Sequence, residues 1–150
     1  ASVYRTFWKY YLRQVIIKRE WVELAGLCES ILYGSGYDDI ESEYRSYCRL
    51  YAYEYENILS YFVFRYFLKG VFDRDVLTKV KMAIVSTLMI MQCDMAVWKR
   101  NGGSLSFTER VDIAHLYSRE VEHSEENFAA LCKLFAHRKV FDEAGLDALL

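Results

Sequence analysis

An all-α bundle is the fold class that this sequence predicts, on three observations. None of the 150 residues is proline, where ordinary usage would supply roughly seven, so the commonest helix breaker is missing. Apolar residues make up 53% of the chain and charged residues 27%, a balance that suits one compact soluble domain with a packed core. Along most of the length the apolar positions recur at intervals of three and four, the period of an amphipathic helix. The expected architecture is a bundle of about four long antiparallel helices joined by short loops, plus a short C-terminal helix.

The first helix is expected from about Val3 to Leu32, because at about 100° per residue Val3, Phe7, Tyr10, Ile17, Trp21, Ala25, Cys28 and Leu32 share one face. Two glycines and two aspartates in Gly34-Ser-Gly-Tyr-Asp-Asp39 end that pattern. A second helix follows from about Ile40 to Val71, with the stripe Tyr44, Tyr47, Tyr51, Tyr55, Ile58, Phe62 and Tyr66 turned to the core. Asp75 caps a third helix, which stops near Arg100 before Asn101-Gly102-Gly103. Ser106-Phe-Thr-Glu109 is a capping box that opens the fourth helix, expected to run to about His137 with Ile113, Tyr117, Val121, Phe128, Leu131 and Phe135 inward. Asp142 would cap the short last helix to Leu150.

Composition also excludes functions. Nineteen basic against twenty-one acidic side chains give a net charge of -2, which leaves no electrostatic footprint for a nucleic acid. The run Met82 to Met91 is shorter than the ~20 residues a spanning helix needs, so no membrane partner is expected. Charges within the first 20 residues interrupt any signal-peptide core. Cys28, Cys48, Cys93 and Cys132 stand far apart with no CxxC, and read as reduced core residues of a cytoplasmic protein. The helical pattern is already running at Val3 and the first residue is not methionine, which suggests one piece of a longer chain.

Polar chemistry is densest from Asp112 to Asn127, where two of the three histidines meet five acids, an arginine and a tyrosine. On one continuous helix His115, Arg119, Glu122 and Glu126 would share a face opposite the core stripe, with His123 beside them, while Tyr117, Glu120 and Ser124 lean inward. The candidate site or interface face is therefore Tyr117, Arg119, Glu122, His123, Glu126 and Asn127. Glu120-Val-Glu-His123 has the Glu-x-x-His spacing of di-iron bundles, but a full site needs a second such pair on another helix, and none occurs. Nucleophile-elbow and zinc-protease motifs are missing, as is a glycine-rich turn after a strand.

Two segments, Tyr55 to Lys69 with the following Asp73-Arg-Asp75 turn, and Leu116-Tyr-Ser-Arg-Glu-Val-Glu-His-Ser-Glu-Glu-Asn127, resemble the C-terminal helical half of flagellin lysine-N-methylases over roughly residues 50 to 137. The resemblance implies methylation of lysine side chains of flagellin, or of another lysine-bearing protein, with S-adenosylmethionine. It also implies an N-terminal region whose cysteine cluster holds a metal or iron-sulfur cluster. These 150 residues have no such cysteine cluster, so the resemblance implies a piece of the enzyme that carries no cofactor or activity of its own and meets the N-terminal region. Tyr117, Glu122, His123 and Glu126 are residue types that a lysine methylation pocket uses. Read from the residues alone, the same charged face serves equally as a non-catalytic module that docks a protein partner or forms a homodimer.

Overall fold

The computed structural model describes residues 1–138 and Phe141. It is all-α: seven helices, α1 (Ser2–Tyr11), α2 (Arg19–Ile31), α3 (Tyr37–Tyr47), α4 (Ala52–Asp73), α5 (Val76–Arg100), α6 (Phe107–Tyr117) and α7 (Glu125–His137), with no strand among the described residues. The expected fold class holds, but the four long helices do not. Only the third runs unbroken; the first is split into α1 and α2, the second into α3 and α4, and the fourth into α6 and α7. The Asp142 cap and the short helix to Leu150 lie outside the described residues.

Everything is arranged around α5. Between Lys81 and Lys99 its only charged residue is Asp94, and it is apolar on all sides, the pattern of a helix buried on every face. Helices α2, α3, α4, α6 and α7 all pack against it. Length and composition alone would let α5 cross a membrane, but most of its apolar window is buried within the protein. Its ends follow local chemistry. Asp75 accepts the Thr78 N–H at 3.2 Å. At the other end Gly103 N–H bonds Trp98 C=O at 2.9 Å and Gly102 N–H bonds Lys99 C=O at 3.1 Å, with both glycines at positive φ, which is the Schellman arrangement.

The divided helices break without proline, each for a tertiary reason. After α1 the run Val15-Ile-Ile17 is β-branched and weak in helical propensity, and its backbone bonds side chains of α7 and of the turn before it (below). Ile17, expected on the buried face, is consequently exposed. Between α3 and α4 the chain tightens into a 3₁₀ turn, Cys48–Leu50. There the Tyr47 hydroxyl donates to Leu105 C=O at 3.0 Å, and the Tyr47 and Tyr51 rings pack 5.5 Å apart. The tyrosine stripe does turn inward, with Tyr44, Phe62 and Tyr66 buried. Gly36, at φ 97°, is the residue before α3, which puts Asp38 and Asp39 in its first turn.

The one acid of α5 is held by this stripe. Tyr55 donates to Asp94 Oδ2 at 2.7 Å, and the Tyr55 and Tyr44 hydroxyls are 2.6 Å apart. The other oxygen, Oδ1, has no partner among the described residues. Burial pushes the Asp94 carboxyl up to about 8 against an ordinary 3.8, with the Tyr55 bond and Arg110 pulling it down. Folded Asp94 therefore keeps its proton where the unfolded chain has lost it. Its contribution to stability is full below about pH 4 and is lost as pH rises toward 8. Asp94→Asn, which cannot ionise, is expected to gain on the wild type by up to ~1.4 kcal/mol per pH unit between about pH 5 and 8. Denaturant unfolding across that range measures this; a difference independent of pH would contradict it.

Candidate functional site

The polar segment singled out in the sequence is where the fourth helix breaks. Its start is as expected: Ser106 Oγ accepts the Glu109 N–H at 3.2 Å and Glu109 accepts the Ser106 N–H at 2.8 Å, the reciprocal capping box. From Ser118 to Glu122 the helix widens into a π turn, closed by His123 N–H on Ser118 C=O at 3.1 Å. Such turns add a residue to the repeat and re-aim side chains, often at functional positions. Here Glu120, Val121 and Glu122 are all buried, two carboxylates among them. Ser124 then caps α7 by accepting the Asn127 N–H at 3.2 Å.

Glu120 and Asn127 act together on the segment between α1 and α2. The Glu120 carboxylate accepts the Ile17 N–H at 3.0 Å through Oε2 and the Lys18 N–H through Oε1. Asn127 pairs with Val15 as a strand neighbour would: its Oδ1 accepts the Val15 N–H at 2.9 Å and its Nδ2 donates to Val15 C=O at 2.8 Å. Nδ2 also donates to Glu120 C=O at 2.7 Å, so one buried amide ties the π turn, α7 and the α1–α2 connection. Next to this clamp Tyr117, fully buried, joins the Tyr11 hydroxyl at 2.9 Å and donates to Ser86 Oγ at 2.7 Å. Burial drives the Tyr11 and Tyr117 hydroxyls far above their ordinary range, so both remain neutral donors.

Glu122 does not join the exposed face assigned to it. Its side chain is 2% exposed and is bound by Arg65 Nε of α4 at 2.8 Å. Ser118 Oγ donates to it at 2.8 Å, and the Tyr61 hydroxyl lies 3.4 Å away. The π turn causes the difference, since it rotates Glu122 inward relative to the register of a regular helix. Of the other candidates Tyr117 and Asn127 are buried, while Arg119, His123 and Glu126 are exposed. The six residues are thus two groups: a buried polar set that holds the fold, and a solvated set on the surface. Glu120, which carries the tightest contacts, leaned inward in the helical pattern, an acid at a core-facing position. Arg65 gave no comparable signal.

Arg119 and His115 line a cleft of about 590 Å³ between α2 and α6. Lys18, Arg100 and Arg119 supply positive charge, Glu20, Glu23 and Asp112 negative charge, and Leu24, Leu27, Ile113 and Leu116 the apolar floor. Mixed charge over an apolar floor suits a polypeptide better than a small anion or a nucleotide. Neither half of the cleft would face the other without the reversal of chain direction at Val15–Lys18.

The described residues do not fit the cofactors that the resemblance implies for the whole enzyme. No three His, Cys, Asp or Glu side chains come together among them as metal ligands. Cys28 and Cys93 are buried, and Cys48 and Cys132 half-buried, all as free thiols. Burial raises the Cys48, Cys93 and Cys132 thiols, opposite to what a thiolate ligand needs. Nor, among the described residues, is there a strand to end in the glycine-rich turn of a nucleotide-type pocket.

Removing the clamp is expected to cost more than removing any exposed candidate. Glu120→Ala deletes a carboxylate that bonds two backbone N–H groups, worth roughly 2–4 kcal/mol where water only partly replaces it. His123→Ala and Glu126→Ala should stay within about 0.5 kcal/mol. Urea unfolding of the three variants checks the order, and equal losses would contradict it.

A family model, the FliB lysine N-methylase C-terminal domain, matches residues 1–148. No curated protein matches the chain, and no solved structure does either. With nearly every residue covered, the chain belongs to the FliB lysine N-methylase C-terminal domain family.

Proposed function

We propose that the chain works as the C-terminal helical part of a longer enzyme that methylates lysine side chains of flagellin with S-adenosylmethionine. The observation that carries this reading is the family match over residues 1–148. Methyl transfer requires a neutral amine held in line with the sulfonium methyl in a pocket closed to water. We assign the methyl donor and any cysteine-bound metal or iron-sulfur cluster to the N-terminal region; the metal assignment is supported by the free thiols and by the lack of a metal-ligand group among the described residues. The free thiols, two buried and two half-buried, agree with a reducing compartment such as the cytoplasm.

In this division of labour the α2–α6 cleft is the contact surface. It receives either the N-terminal region or a lysine-bearing stretch of the substrate, with Glu20, Glu23 and Asp112 placed to pair with basic side chains and Lys18, Arg100 and Arg119 with acidic ones. The cleft also supports a second reading, in which the domain only docks a protein and takes no part in catalysis.

Calorimetric titration separates the assignments. S-adenosylmethionine should give no saturable heat with residues 1–150 and saturable heat with the full-length enzyme; saturable binding to residues 1–150 would overturn the division. In the full-length enzyme, Asp112→Arg combined with Arg119→Glu should lower kcat/KM on flagellin about tenfold with Tm unchanged, the loss of a few charge contacts at an interface. Unchanged kcat/KM would remove the cleft from the reaction and leave the docking reading.

A further inference from the structure

A second cleft, of about 650 Å³, lies between α1 and α7. Its walls are tied at both ends. Asn127, at the start of α7, bonds the Val15 backbone just beyond α1. Toward the other end Phe141, fully buried, packs on Phe7 of α1 at 4.9 Å and on Phe135 of α7 at 4.0 Å. The two helices therefore run antiparallel, and a ligand meets a cleft that is already formed.

The charge of this cleft has one sign. Arg13 stands on the α1 wall, and Lys133, His137 and Arg138 stand on the α7 wall. All four are exposed, and none is in an ion pair among the described residues. No acid is among the described lining residues, although the whole chain carries a net charge of -2. The α2–α6 cleft, by contrast, mixes both signs. The carbonyl end of a helix favours cations, which suits Arg13, His137 and Arg138. Lys133, inside α7, has no such reason, and the preference does not gather cations from two walls into one cleft. Between them Tyr10 and Leu134, both half-buried, form an apolar floor.

We propose that the α1–α7 cleft binds an acidic, amphipathic segment of a partner polypeptide, with its carboxylates on the basic rim and its apolar side chains on Tyr10 and Leu134. A basic rim around an apolar floor is the complement of such a segment. A phosphate-sized anion would meet one or two of the cations and leave the floor unused. A flat bilayer does not reach into a concave surface. A nucleic acid would carry its remaining phosphates onto a chain of net negative charge.

This cleft shares no lining residue with the α2–α6 cleft, so the proposal can fail while the enzymatic reading survives. The test is fluorescence anisotropy of a labelled peptide of alternating glutamate and leucine, titrated with the 150-residue chain. Saturable binding in roughly the micromolar range is expected. Arg13→Glu combined with Lys133→Glu should weaken it about tenfold, since two rim contacts worth a few-fold each become repulsive, with helical circular dichroism and Tm unchanged. A glutamate–serine peptide of equal length should bind several-fold more weakly, because it leaves the apolar floor uncovered. No saturable binding, a constant indifferent to the double substitution, or equal binding of the serine peptide would each overturn the proposal. Tighter binding of a short DNA duplex or of phosphatidylglycerol vesicles, lost with the same two substitutions, would also overturn it and assign the cleft to those ligands. Peptide binding that emerges only when residues 142–150 are deleted would overturn it in favour of the chain's own acids Asp142, Glu143 and Asp147.

Discussion

The bonds that Glu120 and Asn127 make to Val15, Ile17 and Lys18 are the constraint on which the remaining arrangement rests. Fixing the backbone of three β-branched residues outside a helix costs on the order of 1–2 kcal/mol per residue in entropy. No apolar burial repays it there, because Val15, Ile16 and Ile17 are exposed. Charge-assisted bonds to a carboxylate, each worth roughly 1.5–3 kcal/mol, and a paired amide do. Once the chain turns at this point, α2 lies against α5 and α6, Trp21 meets Tyr11 and Tyr117 in the core, and the cleft has two walls.

The π turn holds the first of the clamp's two anchors. A regular helix through residues 107 to 137 would already set Glu120 and Asn127 about 20° apart, with Glu122 about 160° from Glu120. With the widened turn and the restart at Ser124, Glu120 and Asn127 both reach α1–α2, while Glu122 meets Arg65 of α4. One local irregularity thereby ties together two elements that are far apart in sequence. His123, at the end of that irregularity, is left at the surface.

Much of the fold was legible in the residues. The core stripe Ile113, Tyr117, Val121, Phe128, Leu131 and Phe135 is buried throughout, because apolar periodicity reports burial whether or not the helix is continuous. Asp75, Ser106 and the Gly102-Gly103 stop act where their local chemistry says, since caps need only neighbours in sequence. Helix continuity was not legible. Freedom from proline says that a helix is permitted; it does not say that a distant carboxylate will claim the backbone at Ile17, or that Tyr47 will reach Leu105. The candidate face is divided into buried and exposed residues for the same reason. It assumed an unbroken repeat through Glu122, whereas the informative feature was an acid, Glu120, at a position where the pattern called for an apolar residue.

Amide hydrogen exchange resolved by residue along the α1–α2 connection tests the clamp most directly. If Glu120 and Asn127 fix this segment, the Val15, Ile17 and Lys18 amides exchange several hundred-fold more slowly than unstructured peptide despite their surface position, while Ile16, whose N–H neither side chain accepts, exchanges much faster. Exchange of all four amides at the rate of a free loop would show that the segment is not held, and that the α1–α2 reversal and the cleft it builds have another cause.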